Sequence, residues 1–263
     1  MKKINHNHPF HFVTESPWPL LMSLSLMNLL MIMTMWFNNI NNSLINLLIM
    51  KIYLESIIIM SQWWNNINRE AFFQGAHSIL TQKNMKIGMI MFISSEVFFF
   101  ISFFWTFFHM YLSPSIEIGT QWPPMNILPF NNLSIPLLNT LILITSGISL
   151  TWSHHSLLKN NFKESVMSLL ITILLGLYFS SLQLMEYNEA PFSINDSCFG
   201  SIFFVATGFH GLHVIIGTTF LITCFLKLIN HQYSPTHHFS FEAASWYWHF
   251  VDIVWLFLFI NIY

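Results

Sequence analysis

Gly88-Met89-Ile90-Met91-Phe92-Ile93-Ser94-Ser95-Glu96-Val97-Phe98-Phe99-Phe100-Ile101-Ser102-Phe103-Phe104-Trp105 is an apolar run of the length that a membrane-crossing helix needs, about 17–25 residues. It carries one carboxylate, Glu96, near its middle. An acid at that depth costs about 2.5–3.5 kcal/mol on insertion scales, so a chain keeps one there for a use. Three uses are open: proton transfer, a partner charge, or contact with a polar group of a lipid or neighbouring subunit. A neutral, hydrogen-bonding carboxyl is the form that hydrocarbon favours.

Working outward, similar runs recur along the whole chain. They predict seven helical spans at residues 20–37, 45–63, 85–112, 137–152, 166–185, 199–229 and 241–262. All ten prolines lie outside these interiors, as expected of helices, where proline removes a donor and clashes with the preceding turn. The third and sixth runs exceed the bilayer thickness and must tilt or project. Trp18, Trp63, Trp64, Trp122 and Trp152 stand near run ends, where an indole rests at headgroup level. No internal repeat or soluble appendage interrupts the pattern, so residues 1–263 read as one integral membrane domain.

Composition agrees with this reading. The chain is 54% hydrophobic and only 8% charged, against about 25% charged in soluble domains. A net charge of −2 offers no basic face for nucleic acid, which excludes that class of partner. Cys198 and Cys224 lie in or beside apolar runs and read as small packing residues rather than a disulfide framework. Lys2 and Lys3 precede the first run, but that run is too long for a signal peptide and no small-residue cleavage site follows it.

The cations set an orientation. Of nine Lys and Arg residues, all but Lys51 fall on one side of the seven-span pattern: Lys2, Lys3, Arg69, Lys83, Lys86, Lys159, Lys163 and Lys227. The opposite loops carry Glu117, Glu186, Glu189 and Asp196 and no base. The positive-inside rule then places the N-terminus in the compartment of synthesis and the C-terminus across the membrane.

Thirteen histidines are the other candidate chemistry. His210 and His213 are three apart within Ala206-Thr207-Gly208-Phe209-His210-Gly211-Leu212-His213; His154 and His155 end the fourth run; His237, His238 and His249 flank or enter the seventh. Intramembrane imidazoles can ligate haem or copper. They also simply hydrogen-bond neighbouring helices, and the glycines around His210 suit close helix packing. Asp252 stands one turn from His249, the spacing of a relay or a local hydrogen bond, and Lys51 and Glu55 are spaced to neutralise each other. A haem-binding cytochrome and an ion transporter are the readings these residues support on their own.

Taken together, the phrases resemble a known family. They are His8-Pro9-Phe10-His11, Ser16-Pro17-Trp18-Pro19-Leu20, Trp63-Trp64 with Arg69-Glu70 and Gln74-Gly75, Ser95-Glu96-Val97, Trp122-Pro123-Pro124, Pro136-Leu137-Leu138-Asn139-Thr140 and His154-His155-Ser156. Farther on come Gln183 with Glu186-Tyr187, Phe203 through Val214, Phe241-Glu242-Ala243-Ala244 and Trp246-Tyr247-Trp248-His249-Phe250-Val251-Asp252. In order and spacing the chain closely resembles the subunit III family of haem-copper oxidases, in its mitochondrial cytochrome c oxidase form. A quinol oxidase subunit III is the nearest alternative.

The resemblance implies an all-α membrane protein whose seven helices form two groups, the first two and the last five, with a lipid-holding V-shaped cleft. It implies a mitochondrial inner-membrane location with the N-terminus in the matrix and the C-terminus toward the intermembrane space. No catalytic residue, metal, haem or copper is expected in this chain; haem and copper belong to partner subunits. Partners would be oxidase subunits I and II, small accessory subunits and phospholipids, with cytochrome c as substrate of the complex. By the same resemblance Trp64, Arg69, Glu70, His77, Glu96 and Lys227 match lipid-binding positions. The chain departs at Asn65-Asn66, where an Arg-Asp pair is common, and at Ala76, where a second histidine is usual.

Overall fold

A computed structural model describes residues 11–38 and 42–263. Lys2, Lys3 and the His8-Pro9-Phe10 phrase therefore lie outside the described residues. Seven helices follow one another: α1 Trp18–Phe37, α2 Asn42–Phe72, α3 Ile79–Leu112, α4 Ile135–Leu158, α5 Phe162–Glu189, α6 Cys198–Ile229 and α7 Phe239–Asn261. Each is long and apolar enough to cross a membrane. Among the described residues there is no strand, and one short 3₁₀ turn, Ile116–Ile118, follows α3. The fold is that of an all-helical, seven-span membrane protein.

The helices overrun the predicted apolar runs at their polar ends. α2 continues through Phe72 and takes in Arg69 and Glu70, and α3 starts at Ile79. Apolar length marks the hydrocarbon crossing, whereas backbone hydrogen bonding carries a helix beyond it. Pro19 and Pro136 enter the helices at their second positions, where the missing N–H has no intrahelical acceptor to lose.

The chain divides into two compact units, Met1–Met85 and Lys86–Tyr263, with the boundary inside α3. In the first unit α1 packs on α2. The buried residues of α2 up to its polar end are Ile45, Ile52, Ser56 and Ile59, spaced by sevens, fours and threes, and the buried residue of α1 is Ser25. That is a single narrow seam of the coiled-coil kind. The other faces carry exposed apolar side chains such as Leu30, Leu47 and Met50. Lys51 and Glu55 stand on exposed positions and form no ion pair, so the expected mutual neutralisation is not made.

The second unit holds the large core. Hydroxylic residues line the α4–α5 contact, with Ser149 and Ser153 of α4 against Thr172 and Ser165 of α5. Their size lets the helices approach, and their hydroxyls bond across. Ser149 Oγ lies 2.8 Å from Thr172 Oγ1, and Ser153 Oγ donates to the Ser165 carbonyl at 2.9 Å. Trp248 of α7 is fully buried, and its indole N–H donates to Ser146 Oγ at 2.9 Å. Its ring lies against two glycines. A Cβ on Gly176 would stand 2.7 Å from Trp248 Cη2, and one on Gly217 of α6 2.9 Å from Cε3.

At the far end of this unit the loop after α3 is pinned by aromatic packing. Trp122 sits edge-on to Phe107, Tyr111 and Phe199. Tyr263, just past α7, donates to Glu186 Oε2 at 3.2 Å and accepts from Gln183 Nε2 at 3.3 Å. Burial pushes its phenol well above the usual range, so it remains a donor.

Candidate functional site

Within the second unit, α3 turns one stripe toward the core: Met89, Ile93, Phe100, Phe103 and Phe107. Glu96 belongs to that stripe by helical spacing, three positions after Ile93 and four before Phe100. It therefore reaches α6, where its Oε2 lies 2.9 Å from His213 Nε2. The carboxylate side chain is 23% exposed and the imidazole 11%. Phe99, Phe100, Tyr247 and Phe250 pack around the imidazole ring.

The other imidazole nitrogen decides the chemistry of the pair. His213 Nδ1 lies 2.7 Å from the Phe209 carbonyl, which can only accept, so Nδ1 carries a hydrogen. The Nε2···Oε2 bond then holds one proton. With that proton on oxygen, a neutral acid donates to a neutral imidazole. With it on nitrogen, an imidazolium donates to a carboxylate. Both arrangements are electrically neutral overall, which removes the cost of a lone buried charge. The intramembrane acid thus has a hydrogen-bonding partner 117 positions away, on another helix.

His210, read beside His213 as part of one face, does separate work. It is almost fully buried, and its Nε2–H donates to the Val251 carbonyl of α7 at 3.1 Å. Trp255 and Phe179 close around it. His249 and Asp252 both face Gly147 of α4: a Cβ there would stand 3.3 Å from Asp252 Oδ2 and 3.5 Å from His249 Nδ1. Asp252 Oδ1 is buried without a hydrogen-bond partner, and no bond joins it to His249, so the one-turn contact anticipated from their spacing is not formed.

The first unit holds four of the six residues carried over as lipid contacts. Glu70 is buried near the end of α2, accepts from Thr14 Oγ1 and lies 3.6 Å from His11 Nε2. The His11 ring stands edge-on to His77 at 5.9 Å. Trp64 and Arg69 are exposed on α2. The structure therefore gathers Glu70, His11, Thr14 and His77 and leaves Trp64 and Arg69 facing outward. Lys227 is half-buried in the last turn of α6, in the second unit with Glu96. A further group, His154, His238 and Glu242 with Lys86, joins the ends of α4, α7 and α3 and has metal-ligand spacing.

Seven apolar helices, small-residue contacts between them and a charge-neutral acid–imidazole pair at mid-helix define a multi-span helical membrane protein. The chain belongs to the cytochrome c oxidase subunit III family, whose model matches residues 8–263. It is 54% identical over 259 residues to cytochrome c oxidase subunit 3 of Locusta migratoria, covering 98% of this chain and 97% of the relative. The Aedes aegypti protein of the same name is 55% identical over 263 residues, with coverage of 98% and 97%. That of Tachyglossus aculeatus aculeatus is 54% identical over 259 residues, with coverage of 98% of each chain.

Proposed function

We propose that the chain is a non-catalytic core subunit of cytochrome c oxidase in the mitochondrial inner membrane. In this reading it packs on subunit I, meets subunit II and small accessory subunits, and binds phospholipids. It supports proton uptake while the complex oxidises cytochrome c and reduces oxygen; haem and copper reside in the partner subunits. Family membership over residues 8–263 carries the assignment. The broad exposed apolar faces of α1, α2 and α3 give surface for lipid and partner helices. Arg69, Lys83, Lys86, Lys159, Lys163 and Lys227 support an N-terminus in the matrix by their placement on one side of the seven-span pattern.

We assign phospholipid contact to Trp64, Arg69, Glu70 and His77, and to Glu96 and Lys227. The exposed Arg69 guanidinium suits a phosphate, and Trp64 suits the interface. Glu96 supports its surroundings through the proton shared with His213, without a chain of further acids along α3. Two measurements test the reading. Lipid mass spectrometry of the purified oxidase is expected to show fewer retained phospholipids for Arg69→Ala/His77→Ala than for the wild type; identical retention rejects the contacts. Liposomes containing this chain alone are expected to show no proton flux; flux abolished by Glu96→Gln makes it a transporter instead.

A further inference from the structure

We propose that His154, His238 and Glu242 form a binding site for one zinc-like divalent cation where the ends of α4 and α7 meet. No sequence spacing joins His154 to His238 and Glu242, which lie 84 and more positions away. His154 lies in the last turns of α4, His238 immediately precedes α7, and Glu242 is in the first turn of α7. Their ligand atoms all lie within 4.8 Å of one another.

The nitrogen geometry favours a cation. His238 Nδ1 lies 3.0 Å from the Ser234 carbonyl and must donate to it, which in the neutral ring leaves the Nε2 lone pair free. This is the carbonyl-oriented tautomer that metal-ligating histidines use. That Nε2 points at His154 Nε2, 3.3 Å away, and stands 3.5 Å from Glu242 Oε1. In a tetrahedral site with zinc–nitrogen bonds of about 2.0–2.1 Å, two ligand atoms are separated by about 3.3–3.4 Å. The His–His separation matches that edge, and the His–Glu separation is close to it. His238 and Glu242 are also four apart, the spacing at which two residues on one helix face can share a metal.

Lys86 supplies the opposing charge. Its ammonium lies 2.5 Å from Glu242 Oε2, the oxygen facing away from His238's contact. The amine balances the carboxylate when no cation is bound and competes with one that arrives. Removing that positive charge should tighten cation binding, an effect opposite to that expected of a lost structural salt bridge. The same geometry without a metal is a hydrogen-bond network in which His154 donates to His238, and the experiment separates the two.

The test uses the full chain in lipid nanodiscs, titrated with Zn²⁺ against a chromophoric chelator and with Co²⁺ followed by visible absorption. The wild type is expected to take up one equivalent and to give the intense bands of four-coordinate cobalt. His154→Ala and His238→Ala should each weaken Zn²⁺ binding at least about tenfold, and Lys86→Met should strengthen it about tenfold. His155→Ala, one residue from the triad, should leave it unchanged. Circular dichroism confirms that each variant keeps its helices, and the gain from Lys86→Met cannot arise from misfolding. Equal Zn²⁺ affinity in the wild type and the His154→Ala/His238→Ala variant overturns the proposal, as does weaker binding by Lys86→Met.

Discussion

The Glu96–His213 bond shows how a single residue's surroundings set the effect of changing it. Glu96→Ala leaves His213 Nε2 buried without its partner and should destabilise the protein by about 1–3 kcal/mol. Glu96→Gln supplies an amide N–H that can donate to the same nitrogen, so its loss should be markedly smaller. Thermal unfolding of the purified oxidase compares the two, and an unchanged midpoint in Glu96→Ala would show that the bond contributes nothing. Ser146→Ala should cost about 1–3 kcal/mol in the same assay because it strands the buried Trp248 indole N–H. Glu96 was legible in the sequence as a site, since an acid in a phenylalanine-rich run is conspicuous. His213 was not legible as its partner, because no spacing rule connects residues on α3 and α6.

At the scale of the helices, the glycines divide into those whose neighbours forbid a methyl group and those that face open space. Gly176→Ala would place its Cβ 2.6 Å from Thr218 Cγ2 as well as against Trp248, and should cost about 1–3 kcal/mol. Gly211→Ala meets nothing within 4 Å and should be neutral or slightly stabilising, since alanine is the better helix former. Unfolding midpoints of the two variants check the ranking, and comparable losses would deny that Trp248 fixes the α5–α6–α7 packing. The number and order of helices were legible because hydrocarbon thickness imposes a length on every apolar run. Their polar ends were not: Asn65 through Phe72 contains too few apolar residues to announce that α2 continues. The α1–α2 seam was equally hidden, since both its faces are apolar and only packing distinguishes Ile52 from Leu47.

For the whole molecule, orientation is the property most directly open to measurement. Glu117 follows α3 and Ser234 precedes α7, on opposite sides of the seven-span pattern. In mitoplasts, a membrane-impermeant maleimide should label Glu117→Cys and spare Ser234→Cys, with the unsubstituted protein as the background for Cys198. The reverse pattern would invert the orientation drawn from the cations. The proton held between Glu96 and His213 has a consequence at this scale too. Shifting it from oxygen to nitrogen turns a neutral pair into an ion pair whose charges stand about 3 Å apart in a hydrocarbon layer of about 30 Å. A membrane voltage of about 100 mV acts on a full crossing with about 2.3 kcal/mol, so even a pair aligned with the field changes by only about 0.2 kcal/mol. Thermal energy is more than twice that, and the electrical state of the surrounding membrane therefore biases the pair only weakly.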